Sequence, residues 1–95
     1  MIEILTFALC AGADDERFVT VDARVQTEFA YQQPGLARRT TGRNTDGRCL
    51  VLQVWSSDEA ETAARTAFEA SELGVDFASL IDPDSIRREC FAGLD

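Results

Sequence analysis

Asp22, Gln26 and Phe29 follow one another at helical spacing, four and then three residues apart, so their side chains share one side of a helix. On a wheel of about 100° per residue with Phe18 at zero, Phe29 falls near 20° and Asp22 near 40°. A carboxylate inside an apolar stripe is costly unless it is paired or faces a wet cavity. Asp22 is therefore the candidate general base. The plainer reading is a stripe edge whose carboxylate reaches water or an arginine. Trp55, the only tryptophan, shares a strand face with Gln53, Val51 and Cys49. An indole beside an amide suits a flat aromatic ligand, held by stacking and one polar anchor; the alternative is an indole that plugs the end of a small barrel. Arg38 and Arg39 are neighbours in a strand and point to opposite faces, so at most one of them faces inward to hold an anionic group. Arg38 is the candidate for that position, though the residues alone leave the choice open, and the other arginine serves as an edge or rim charge. Gln53, Gln26, Phe29 and Trp55 complete the expected ligand wall. Tyr31 and the serines have no histidine beside them, and no nucleophilic triad is visible.

Composition narrows the chemistry further. Seventeen acids against nine arginines give a net charge of −8, with no lysine and no histidine. Nucleic acid and anionic membrane surfaces both reward a basic face, so neither is an expected partner. The missing histidines remove the commonest general base and the commonest metal or haem ligand. Cys10, Cys49 and Cys90 are widely spaced with no C-x-x-C pair, which suits neither a disulfide framework nor a zinc site. Each lies in a strand-like run and is expected to be a buried structural thiol. Residues 1–13 lack the basic n-region of a secretory signal and carry Glu3, and no stretch approaches the ~20 apolar residues of a spanning helix. A cytoplasmic location is expected, with no bound metal.

The elements that must position these residues can be read along the chain. Ile2–Leu9 alternates as a first strand, with Leu5, Phe7 and Leu9 on one face. The acids at 14 and 15 open a helix that runs to about Gln33 and stops at Pro34-Gly35, with Phe18, Val21, Val25 and Phe29 as its stripe. Leu36–Arg43 is a second, more polar strand, and Asn44-Thr-Asp-Gly47 is a turn leading into the third strand, Cys49–Trp55. That third strand is apolar on both faces and needs cover on both. Ser56 or Ser57 caps a second helix, Ser56-x-x-Glu59 fits a capping box, and Ala60, Ala63, Ala64, Ala67 and Phe68 form its apolar face. A further helical turn lies between Glu72 and Ile81, and Ser85–Leu94 reads as a last strand.

This order predicts an α+β, ferredoxin-like βαββαβ fold in a single domain, residues 1–95. Its four-stranded antiparallel sheet carries two helices on one face in the order 4-1-3-2, with the apolar first and third strands central. Two helices cover only one face, so the other predicts a homodimer packed sheet to sheet.

Gln32-Gln-Pro-Gly-Leu36, the Asp-Gly turn and Leu-Gln-Val-Trp55-Ser-Ser-x-x-Ala60 together resemble the antibiotic biosynthesis monooxygenase-like family. The resemblance covers nearly the whole chain by element order and implies a dimeric α+β barrel. It implies a cavity between sheet and helices lined by Trp55, and oxygenase chemistry on an aromatic small molecule without a cofactor. The family's active monooxygenases carry an asparagine where this chain has Val51, and another on the first strand near Leu5. Its haem-degrading members use an axial histidine, which this chain lacks. Two functions are therefore expected: a cofactor-independent monooxygenase-like protein, or a non-catalytic barrel that binds a small ligand or acts as a stress or accessory protein.

Overall fold

The computed structural model describes residues 1–94. Strands β1 (Ile2–Phe7), β2 (Leu36–Arg43), β3 (Cys49–Trp55) and β4 (Arg87–Phe91) form one antiparallel sheet in the order β2-β3-β1-β4. The two apolar strands are central, as their composition requires, because a central strand is covered on both edges and loses most of its contact with water. The helices are α1 (Asp15–Arg24), α2 (Asp58–Glu69) and α3 (Glu72–Ser79). The third is longer than the single turn expected, so three helices rather than two accompany the sheet. Ser71 opens α3 by accepting from the Gly74 N–H at 2.9 Å, and at Gly74 itself a Cβ would overlap the Phe68 carbonyl. That close approach folds α3 tightly back on the end of α2.

The core lies between the helices and the face of the sheet that carries Phe7, Cys49 and Val51. Phe7 is fully buried, and its ring meets Phe18 at 5.9 Å and Phe77 at 6.0 Å, both edge to face. The aromatic chain continues from Phe77 to Phe68 at 5.8 Å and from Phe68 to Phe29 at 5.0 Å. It links the tight core beneath α1 and α3 to the looser space under α2.

Two backbone irregularities separate this fold from its idealised version. The helix after β1 is α-helical only to Arg24; it widens into a π-helical turn, Val25–Phe29, and tightens into a 3₁₀ turn, Ala30–Gln32. In β2, Leu36 pairs with Trp55 but Arg38 pairs with Val54, so Ala37 is an extra residue in a β-bulge. Gly35 precedes the bulge at φ +88°, and a Cβ there would lie 2.6 Å from Ser56 Oγ and 2.7 Å from Ala60 Cβ. Only glycine lets this turn approach the start of α2 so closely.

Smaller expectations shift as well. Ser57, not Ser56, caps α2, accepting from the Ala60 N–H at 3.1 Å, so the Ser56/Glu59 capping box does not form. Ala63 and Ala67 are exposed, and the inward face of α2 is Glu61, Ala64 and Phe68. The last strand is shorter than expected because Pro83–Ser85 forms a 3₁₀ turn before it. Cys49 is buried, Cys10 is half-buried and Cys90 is exposed on β4, so the expectation of three buried thiols holds only for Cys49. The other face of the sheet presents Ile2, Ile4, Leu50, Leu52 and Val54, all half-buried, with Phe91 46% exposed beside Ile2. No helix among the described residues is long and apolar enough to cross a membrane.

Candidate functional site

A cavity of about 150 Å³ opens between the sheet and the helices. Its apolar walls include Leu5, Val51 and Trp55 from the sheet and Val25, Phe29 and Phe68 from the helices. A space of this order accepts one benzene-sized ring. Glu3, Arg39, Gln53, Glu61, Arg65 and Arg88 supply its polar groups, and Arg65 and Arg88 are the exposed members at its rim.

Arg39 marks one end. The bulge at Ala37 puts it opposite Gln53, on the same face as Trp55, while Arg38 is left exposed on the other side. Without the extra residue Arg38 would hold that place, since a one-residue slip turns every side chain over. The arginine expected inside is thus outside, and its neighbour is within. The Arg39 side chain is 3% exposed. Its Nη2 donates to Asp22 Oδ1 at 2.7 Å, and its Nη1 donates to Gln26 Oε1 and Thr41 Oγ1, each at 3.2 Å. The Thr41 hydroxyl donates to the same Asp22 oxygen at 3.1 Å. Tyr31 completes the cluster: its hydroxyl accepts from the Arg39 N–H at 2.9 Å and donates to the Arg39 carbonyl at 3.2 Å. That covers two backbone groups of an edge strand.

Among the residues expected at the site, Trp55, Gln53 and Phe29 line the cavity. Asp22 and Gln26 do not; they stand behind Arg39 and hold it. The π-helical turn presents Val25 and Phe29 to the cavity while Gln26 turns towards Arg39. Such turns occur often at functional sites, because one extra residue per turn re-aims the side chains that follow.

The other end was missed in the sequence. Glu3 on β1 and Glu61 on α2 are 6% and 3% exposed. Gln53 Nε2 donates to Glu3 Oε1 at 2.8 Å, and Arg88 Nε on β4 donates to Glu3 Oε2 at 2.7 Å. Glu61 Oε1 lies 2.8 Å from Arg88 Nη2 and 3.0 Å from Arg65 Nε, but at angles that make ion pairs rather than hydrogen bonds. Partial burial alone would lower the Arg88 pKa, yet its bond to Glu3 and the charges of Glu3 and Glu61 together raise it above the usual arginine value. The Trp55 indole N–H is likewise buried with no hydrogen-bond partner. One signal for Glu3 was available, since alternation puts it on the same face as Leu5 and Phe7. Glu61 sits three residues before Ala64 and seven before Phe68, which is also a shared face. Neither position discloses its partner, because Arg88 comes from the far end of the chain. Among the described residues no cluster of His, Cys, Asp and Glu is arranged to hold a metal.

No family model matches this chain, and no curated protein matches its sequence closely enough to count. Solved structures do match. SnoaB, a cofactor-independent oxygenase from Streptomyces nogalater, superposes with a TM-score of 0.77 at 20% identity, over 99% of this chain and 92% of that one. A provisionally assigned antibiotic biosynthesis monooxygenase from Chloroflexus aurantiacus matches with a TM-score of 0.68 at 13% identity, over 98% and 95%. PA3566 from Pseudomonas aeruginosa matches with a TM-score of 0.71 at 13% identity, over 99% and 93%. The likeness is one of fold: this chain has the ferredoxin-like α+β fold of the antibiotic biosynthesis monooxygenase-like proteins.

Proposed function

We propose that this chain is a cofactor-independent, monooxygenase-like protein that takes an aromatic small molecule into the cavity between sheet and helices. The observation that carries the reading is the cavity itself. Trp55, Phe29 and Phe68 offer ring faces, polar groups stand at both ends, and the fold is that of a cofactor-independent oxygenase. Trp55 and Phe29 stack on the ring, and Gln53 and Arg39 orient its polar substituents. Asp22 acts through Arg39, whose guanidinium it fixes, so the substrate's proton passes to water. The resulting carbanion reduces dioxygen directly; one oxygen atom stays in the product and the other leaves as water. Oxygen uptake with a panel of hydroxylated aromatics, without added metal or flavin, tests this. Turnover that falls sharply in Trp55→Ala supports it, and a wide panel giving no uptake overturns it.

A second reading is a barrel that binds a small ligand without turning it over. It is favoured by Val51, an apolar side chain in the cavity wall, and by the arginines of the lining, which are all ion-paired. Ligand binding without oxygen uptake selects it. In either case the chain works as a homodimer joined through the open face of the sheet. The support is the apolar row Ile2, Ile4, Leu50, Leu52 and Val54, which no element among the described residues covers. Leu52→Arg is expected to yield a monomer by sizing in solution, and a wild-type monomer would rule the dimer out.

A further inference from the structure

Resting on the reading of the cavity as a ligand site, we propose that Glu61 decides which rings it accepts, favouring a neutral ring with a hydroxyl donor over an anionic one. Every arginine in the lining already faces a carboxylate. Arg39 has Asp22 at 2.7 Å, Arg88 has Glu3 at 2.7 Å and Glu61 at 2.8 Å, and Arg65 has Glu61 at 3.0 Å. An incoming anion therefore finds no free cation and must share an arginine with a carboxylate that already holds it. Such like-charge crowding is costly where water is excluded.

Glu3 and Glu61 differ in what they still lack. Both oxygens of Glu3 accept well-formed hydrogen bonds, from Gln53 and from Arg88. Glu61 Oε1 is compensated in charge but accepts none. A buried acceptor whose nearest donors, at 2.8 and 3.0 Å, are poorly aligned gains from a ligand that supplies a well-aligned one. Trp55 lines the same cavity, and its indole N–H is a buried donor with no acceptor. A hydroxyl both donates and accepts, so it can answer either group. A carboxylate only accepts, and an unsubstituted ring does neither.

The single tryptophan gives a direct readout, because its indole N–H contributes one resonance to a ¹H–¹⁵N spectrum. Titrating the protein with 4-methylphenol, toluene and 4-methylbenzoate compares a donor, an apolar ring and an anion of similar size. The expected order is 4-methylphenol first, about tenfold tighter than either of the others, as one charge-assisted hydrogen bond would give. In Glu61→Gln the phenol loses about that factor and the benzoate gains, while Glu59→Gln on the exposed side of α2 changes nothing. The wild-type ranking stands as a test even if the Glu61 variant folds poorly. A benzoate that binds as well as the phenol, or toluene doing so, overturns the role of Glu61 and leaves an aromatic site standing. If none of the three moves the indole resonance, both the site and the role of Glu61 fall.

Discussion

At the β2 end of the cavity Arg39 meets one carboxylate, one amide and one hydroxyl, all within 3.2 Å, and the carboxylate takes a further bond from Thr41. At the β4 end Arg88 is shared between two carboxylates, its side chain is 32% exposed, and one of the acids is left with a buried oxygen that accepts no hydrogen bond. The residue types are alike; the degree of satisfaction is not. A cluster whose members are all bonded is rigid and holds its geometry. A cluster that is neutral overall but holds one acceptor without an aligned donor can change partners at less cost. On the proposed reading, the first end fixes the shape of the cavity and the second exchanges bonds with a ligand.

Arg39→Ala gives the largest expected effect, because it leaves Asp22 partly buried and unpaired. A loss of about 3–5 kcal/mol in denaturant unfolding is expected. A loss below ~1 kcal/mol would put this end on a par with an exposed pair and erase the distinction. Arg88→Ala comes next, at about 1–3 kcal/mol, since water can reach the vacated place and hydrate Glu3. Should it cost more than Arg39→Ala, the ranking of the two ends is reversed. Glu61→Gln is smaller still, within about 1 kcal/mol, because it removes a charge but no well-formed hydrogen bond.

The smallest effect lies outside both clusters. Arg24 Nε donates to Glu28 Oε2 at 2.8 Å on the exposed side of the helix, and this bond holds the Glu28 pKa below the ordinary glutamate value. A lowered folded-state pKa means that the contribution is present above the unfolded value and fades as the pH falls through the folded one. Glu28→Gln should therefore lower neutral stability slightly, leave stability at low pH unchanged and so flatten the acid limb of the curve by the same small amount. A large change at neutral pH would mean that surface pairs matter here as much as the cavity clusters do.

Much of the fold was legible because it rests on local pattern. Alternation in Ile2–Leu9 and the apolar run Cys49–Trp55 mark the strands, Pro34-Gly35 stops the first helix, and apolar content ranks the strands from centre to edge. Trp55, Gln53 and Phe29 line the cavity as expected for the same reason: strand and helix periodicities give the face on which a side chain emerges. Arg38 was misplaced where periodicity breaks. The bulge at Ala37 adds one residue to β2, and nothing in Leu-Ala-Arg-Arg announces it. Glu61 was hidden differently, since a glutamate on a helix reads as solvated until a distant cation is seen beside it.

By itself the sequence determined the order of elements, the central pair of strands and the absence of any histidine to carry chemistry, all properties of residue type and near spacing. The tertiary structure alone decided which arginine faces inward and which acids are buried. Both depend on register and on long-range pairing: Arg88 reaches Glu3 from 85 positions along the chain. Charge can be counted along a sequence, but whether a charge is compensated is fixed only when the chain brings its partner to within about 3 Å.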